Sequence, residues 1–359
     1  MKTNFQQPSI PRLLCAVALL ALMTSHASAD PLPGQILKFQ QNPMIGTGVG
    51  VNADGTPAIY NGHDELSTAW LTSPVPPNPA APLVYQGVSM ADDFADNFNS
   101  PIVHISWWGS YLNNIINPNQ TVTKFLIAFE DDVPANQPGP DGQILPYSRP
   151  GNVLSSQIVN LTGALAPGSG TYTEQQVTFN LPENIYKYNA ELHFDKQFPE
   201  KADTIYWLKV VALIDAPRDA TAPNTEWGWH NRDYTVQNTL ASPNVTPGET
   251  DQQPLIDPTY PTSVWHFQDD AVESRVLIEI NDPNMPNMPT KVDQINPLDR
   301  YYADGLDGPG PIPGTNFGGI GQFSKDLAFE LYTIPEPTTC MLLLAGLGVF
   351  VAHPSKCVS

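Results

Sequence analysis

The side chains with most chemistry to offer in this sequence are its carboxylates, which come in clusters. Asp92 and Asp93 stand near Asp96, Glu130 leads into Asp131 and Asp132, Asp269 precedes Asp270, and Asp304 and Asp307 flank Gly305 and Leu306. Calcium takes about six to eight hard oxygen ligands, which loops meeting at one sheet rim can supply from separate clusters. The candidate is a structural calcium ion with Asp92, Asp93, Asp269 and Asp270 as its first ligands; the competing reading of the same clusters is solvated strand ends and turns, and no cluster has EF-hand spacing. Carboxylate pairs also carry glycoside hydrolysis, which gives an alternative reading as a secreted glycan-active enzyme. With 36 acids in the chain, however, such pairs arise from composition alone.

Aromatic residues offer binding rather than catalysis. Trp107 and Trp108 are neighbours and, on a strand, point to opposite faces, whereas Trp227 and Trp229 are two apart and share a face. Coplanar exposed indoles stack on sugar rings, so Trp227, Trp229 and Trp108 are the candidate ligand-binding residues; core packing is the competing use of the same rings. Histidines at 63, 104, 193, 230 and 266 form neither an HExxH nor an HxH motif, and no nucleophile elbow, phosphate loop or dinucleotide fingerprint occurs. The reading of the body is therefore non-enzymatic, with no cofactor beyond the candidate calcium.

These residues need a scaffold, and the composition favours strands. The 359 residues include 38 Pro and 25 Gly, which break helices and central strands, while 41% are hydrophobic, enough for a large core. Strand signals recur at 88–94, 102–112, 122–130, 153–160, 175–181, 190–194, 204–214, 225–230, 263–268, 274–280 and 327–333. In one of them Phe125, Ile127 and Phe129 alternate with Lys124, Leu126 and Ala128. The expected fold is all-β, an antiparallel β-sandwich of jelly-roll type with long Pro/Asn/Asp/Gly-rich loops, plus a short hydrophobic helix at the C-terminus.

The ends carry addresses. Lys2 and Arg12 precede an apolar run over 13–23, and Ala27 and Ala29 occupy the small-residue positions of a signal-peptidase site before Asp30. Cysteines occur only at 15, 340 and 357, so the stretch between 30 and 339 can form no disulfide and offers no thiolate. The formal charge is −20; Lys2, Arg12 and Lys356 are three of the 16 bases and Glu336 one of the 36 acids, which leaves −22 on 30–333. That charge excludes nucleic acid and disfavours anionic membranes, whose partners need a basic face.

Near the C-terminus, Pro335, Glu336 and Pro337 lead into an apolar run over 340–352. The triplet and the run resemble the PEP-CTERM sorting signal of exported bacterial proteins, which an exosortase recognises and cleaves. The family usually ends in an arginine cluster, where this chain has only Lys356. The run around Asp92-Asp93-Phe94, the strand with Trp107-Trp108 and the later Trp227-Gly228-Trp229 resemble a tryptophan-rich, uncharacterised β-sandwich domain recurrent in such proteins. Read together, the residues and the resemblance divide the chain into a signal peptide over 1–29, a Pro-rich extension over 30–86, a β-sandwich over 87–333 and a sorting tail over 334–359. The tail's resemblance implies exosortase beside signal peptidase as processing partners, transient membrane association through the tail, and a final place at the cell surface or in the extracellular matrix; it implies no substrate, and exopolysaccharide enters only as the sugar polymer that the candidate tryptophans would bind.

Two cleavages follow from this reading. The intact mass of the exported protein should match a chain that starts at Asp30 and ends between Ile334 and Pro337. A species that keeps Met1, or that still carries 340–359, would contradict the corresponding cleavage.

Overall fold

The computed structural model describes residues 31–51, 54–72, 82–145, 148–161, 170–178, 183–233, 240–242, 244–245, 271–281, 288–300 and 326–335. Ala27, Ala29, Asp269, Asp270, Glu336, Pro337, the strand expected at 263–268 and the expected C-terminal helix lie outside them. Among the described residues no helix is long and apolar enough to cross a membrane.

The described chain is all-β, with only two short 3₁₀ turns (Leu112–Asn114 and Phe194–Lys196) besides its strands. In chain order these are β1 (Ile36–Gln41), β2 (Thr47–Val51), β3 (Pro57–Tyr60), β4 (Asp64–Leu66), β5 (Thr68–Leu71), β6 (Leu83–Phe94), β7 (His104–Tyr111) and β8 (Lys124–Val133). They continue as β9 (Arg149–Leu161), β10 (Thr171–Gln176), β11 (Ile185–Glu191), β12 (Tyr206–Ile214), β13 (Trp227–His230), β14 (Val272–Ile280), β15 (Lys291–Arg300) and β16 (Phe329–Thr333).

Fourteen strands form one sheet in the order β1-β16-β7-β11-β10-β9-β8-β12-β5-β6-β14-β15, with β13 and β4 attached beside β7; β2 and β3 form a separate hairpin. The purely antiparallel pairing expected from the sequence is corrected at two ladders, because β10 runs parallel to β9 and β12 parallel to β5. The sheet is mixed.

One short link draws its two arms together. β13 pairs with both β7 and β4, and β4 continues through Ser67 into β5, which lies against β12. At the link, Ser67 Oγ donates to the Val210 carbonyl at 2.5 Å and accepts the Met90 N–H at 3.0 Å. The Ser67 backbone N–H bonds the Trp227 carbonyl, and its own carbonyl accepts the Ala212 N–H. Three strands thus meet at one residue without an unpaired backbone group there.

The face enclosed by the arms is apolar and aromatic. Phe39, Phe94, Trp107, Phe125, Tyr188, Trp227, Trp229 and Phe329, from seven different strands and both arms, belong to one buried cluster. Trp107 stacks on Tyr188 with centroids 5.4 Å apart, and Phe125 meets Trp227 edge to face at 4.9 Å, the geometries that the ring quadrupoles favour. The alternation read from 124–129 holds. Phe125, Ile127 and Phe129 enter this cluster, while Leu126 enters a second one with Val211, Leu213, Val276 and Ile278 on the opposite face. β12 is consequently buried along both faces.

Residues 30–86, read from their prolines as an extension, supply β1, β4, β5 and the start of β6 to the main sheet. The punctuating glycines sit at turns instead of dissolving strands: Gly34, Gly46 and Gly62 have φ of +96°, +66° and +78°, which L side chains rarely adopt. The strand expected at 190–194 is displaced. β11 ends at Glu191, and Phe194, 73% exposed, begins a 3₁₀ turn.

Gly87 tests the close approach of β5 to β6. A Cβ there would lie 2.5 Å from Ala69 Cα and closer still to the Thr68 carbonyl oxygen, both backbone atoms unable to swing aside. Gly87→Ala should therefore destabilise by about 2–3 kcal/mol or more in chemical denaturation. An unchanged denaturation midpoint would mean that β5 does not pack against β6 as described.

Candidate functional site

A cleft of about 470 Å³ opens where the β8–β9 connection meets the start of β15, lined by Pro140, Asp141, Gln143, Arg149, Pro150, Gly151, Asn152, Val153, Val292 and Asp293. Local sequence explains its shape. The connection turns on Asn136 and Gly142, with φ of +63° and +75°, and is cross-tied by Asn136 N–H to the Leu145 carbonyl at 2.7 Å and Gly139 N–H to the Gln143 carbonyl at 2.9 Å. It wraps the Arg149 guanidinium, whose Nη2 donates to Asp141 Oδ1 at 3.0 Å and to the Gln143 carbonyl at 2.5 Å, while Nη1 donates to Asp141 Oδ2 at 3.3 Å. The planar fork matches the carboxylate bidentately, so a charge that is almost wholly buried is paired and the loop is fixed around it.

The β8–β9 ladder beside the cleft is irregular. The β8–β9 register slips between Phe129 and Glu130 and again between Glu130 and Asp132, and such bulges re-aim side chains. Asp131 accepts the backbone N–H of Asn152 and, at 3.2 Å, its side-chain amide. Asp132 accepts the Trp207 indole N–H at 2.9 Å. Burial pushes the Asp132 carboxyl up to about 6; the Trp207 bond opposes this and the neighbouring Asp131 charge adds to it. The cleft thus offers the hydrogen-bonding groups of Asp141, Gln143, Asn152 and Asp293 between the apolar surfaces of Pro140, Pro150, Val153 and Val292. A small number of fixed polar groups among apolar walls, in a volume of this size, can hold a polyhydroxylated ligand by both its hydroxyls and its C–H faces.

Those residues singled out from the sequence that the structure describes lie elsewhere. Trp227 and Trp229 share a face as expected, but that face is the core: both are 0% exposed, with their indole N–H groups bonded to Tyr188 Oη at 3.1 Å and the Ala328 carbonyl at 2.9 Å. Stacking on a sugar needs an open ring face, so their use as a platform is corrected; a core of this extent recruits the largest apolar rings. Trp108 is buried on the other face with Ile185 and Ala328, beneath Lys187 Nζ at 4.8 Å from the ring centroid.

Asp92 and Asp93 belong to β6 and are buried, not rim residues. Asp92 Oδ2 accepts the Leu327 N–H at 2.7 Å, and burial, reinforced by the Asp326 charge and opposed by Leu327 and Arg232, holds its carboxyl well above the usual range. Among the described residues no three His, Cys, Asp or Glu side chains form a group able to hold a metal ion. Pro335 follows β16 by two residues.

His230 is enclosed, with Nδ1 3.1 Å from Asp64 Oδ1 and Nε2 3.0 Å from the Met44 carbonyl. Burial pulls its pKa down, but these two acceptors more than offset that, so it stands above the ordinary value. Ser110 Oγ also donates to Asp64, at 3.0 Å. The serine therefore meets the carboxylate and not the imidazole, an order opposite to that of a nucleophilic triad.

The cleft residues escaped the sequence reading because Asp141, Gln143, Arg149 and Asn152 look like loop composition. One signal was present: an arginine inside an acidic, Pro- and Gly-rich stretch. Fold and cleft together define, among the described residues, an all-β domain without cysteine that bears a polar cleft beside a bulged ladder. The chain belongs to the family described as a domain of unknown function, DUF7901, whose model matches residues 37–274. No curated protein and no solved structure matches it.

Asp132, opposite the cleft residue Pro150 in the β8–β9 ladder, gives that ladder a measurable pH signature. Its folded pKa of about 6 lies above the ordinary 3.8, so the folded state holds this proton more tightly, and the stability it contributes at low pH is lost as pH rises through that window. Between pH 4 and 7 the wild type should lose up to about 3 kcal/mol relative to Asp132→Asn, which keeps an acceptor for Trp207 and does not titrate. Parallel stability profiles of the two proteins would contradict the buried placement of Asp132.

Proposed function

We propose that this is an exported, non-enzymatic protein of the cell surface or extracellular matrix, sorted through its Pro335-Glu336-Pro337 tail, whose cleft around Arg149 binds exopolysaccharide. The observation that carries the ligand is the cleft itself: fixed amide and carboxylate groups interleaved with apolar walls, built on a loop that the Arg149–Asp141 pair holds rigid. Pre-organisation of this kind lowers the ordering cost of a weak, hydroxyl-rich ligand. Export is supported by the signal-like residues 1–29, and the charge of −22 on 30–333 suits a protein that stays soluble outside the cell. The sandwich reading of the domain is supported by the two apolar clusters on opposite faces of β8 and β12.

The test is affinity electrophoresis of the exported protein through gels containing the exopolysaccharide of the producing strain. Retardation is expected, and Asn152→Ala and Asp293→Ala should each weaken it by about tenfold, the loss of one or two hydrogen bonds, without shifting the melting temperature by more than a few degrees. Mobility unaffected by any polymer would remove the glycan reading. Release of reducing ends from the polymer would replace it with the hydrolase. Equal surface display with and without residues 334–359 would remove the sorting reading.

A further inference from the structure

Away from the cleft, three ionisable side chains meet inside the protein. Lys38 of β1, Asp96 just after β6, and Glu200 before β12 all have side chains at 0% exposure. Lys38 Nζ lies 2.9 Å from Glu200 Oε2 and 3.5 Å from Asp96 Oδ2, and donates to the Ser100 carbonyl at 2.6 Å. The loops that bear the acids are tied together, since the Asp203 N–H bonds the Asp96 carbonyl at 2.7 Å and the Ala202 N–H bonds Asn99 Oδ1 at 3.0 Å. Phe98 presents its ring 6.0 Å from Nζ, and the Glu200 N–H bonds the carbonyl of Phe198, itself stacked on Phe129 at 4.4 Å.

As an ion-pair network this trio is poorly made. One ammonium faces two carboxyls, which also meet each other, and among the described residues Ser100 Oγ has no hydrogen-bond partner. A buried charge left in that state is costly. The two acids also differ in how they are held. Asp96 Oδ1 accepts the Phe98 backbone N–H at 2.8 Å, which polarises that oxygen as a carbonyl, and its other oxygen faces the amine. Glu200 has no backbone N–H on its carboxyl in this set of contacts; it meets the same nitrogen at 2.9 Å and the Asp96 carboxyl, and so touches both reacting groups.

We propose that this arrangement makes an intramolecular amide: Lys38 Nζ attacks the Asp96 carboxyl carbon, with Glu200 as the proton relay. The step balances without any co-reactant. The ammonium and the carboxylate first exchange a proton to become amine and carboxylic acid. Nitrogen then forms the bond to Cγ; Glu200 takes a proton from nitrogen and returns one to the departing hydroxyl, and one water leaves as the amide forms. The Phe98 N–H sits where negative charge develops on Oδ1 in the tetrahedral intermediate. Burial favours the neutral reactants: it raises the Asp96 carboxyl, against the pull of Lys38, and drives Glu200 to about 8, again against Lys38. Enclosure also keeps bulk water from reversing the reaction. The product would fasten the edge strand β1 to the loop after β6, the cross-linking role that disulfides take in other exported proteins and that this cysteine-free body lacks.

The experiment is intact-mass measurement of the full chain after folding, followed by fragmentation of its peptides. The wild type should be lighter than its sequence by one water, with a branched peptide joining Lys38 to Asp96. Asp96→Asn should lose ammonia instead and arrive at the same final mass, because the two reactions share one product. Lys38→Arg, which keeps the charge but forms no such amide, should retain its full mass and melt at a lower temperature while folding by circular dichroism. Glu200→Gln should fold and stay largely unlinked. A folded wild type at full mass, or a water loss mapped to any other residue pair, would overturn the proposal; linkage of Glu200→Gln at the wild-type rate would remove the relay.

Discussion

The structure depends on one constraint, the closing of an aromatic core by strands that are distant in sequence and belong to two arms of the same sheet. Burial of Trp107, Trp227 and Trp229 is favourable by about 25 cal/mol for each Å² of apolar surface, but the backbone that brings these rings together must keep its hydrogen bonds. Ser67 meets that demand. Its backbone and hydroxyl serve β6, β12 and β13 at the point where β4 becomes β5, and Thr68 Oγ1 adds a bond to the Trp227 carbonyl at 2.8 Å and receives the Trp227 N–H at 2.9 Å. With a larger apolar residue at 67 the strands would still be hydrophobic, but the junction would hold orphaned donors and acceptors.

Closing the core also carries charge inside. Lys209 meets Glu130 at 2.5 Å with both side chains fully buried, and Arg232 reaches Asp326 at 3.2 Å close to Asp92. Such pairs contribute little net stability against apolar replacements, yet losing one partner strands the other's charge. They act as register marks. Lys209 sits opposite Ala128 and Ala91 in its two ladders, so a slip of β12 by one residue would send its ammonium to the aromatic side of the sheet. A body this acidic, without cross-linking cysteines, gains specificity from positions where only one pairing is tolerable.

What the sequence revealed follows from which signals are local. The alternation of Phe125, Ile127 and Phe129 marks a strand and its inward face because both depend on neighbours in the chain. The shared face of Trp227 and Trp229 was equally legible, but not its direction. Inward and outward differ only by what packs opposite, here Tyr188, Phe125 and Phe329, which are remote in sequence. The Pro- and Gly-rich start concealed β1, β4 and β5 because these are short strands that depend on β16, β13 and β12, which come much later; only β5 also pairs with the next strand, β6. The cleft was hidden for a similar reason: its walls come from the 140–153 stretch and from β15, and only the fold makes Asn152 and Asp293 neighbours.

The pairing of β1 with β16 links architecture to the proposed sorting. Ile36 stands opposite Thr333, so the strand that opens the described body and the one that leads into the Pro335 segment lie side by side. For a protein held by its C-terminal end, tension arrives along β16, which is flanked by β1 on one edge and β7 on the other. Load along the strand axis must break both ladders together, and it must also withdraw Phe329 and Leu331 from the aromatic core. β1 is the weaker flank, since β16 is its only ladder partner among the described strands. Its Phe39, packed in the aromatic core, and its Lys38, reaching the loops of Asp96 and Glu200, fix this edge strand to the interior.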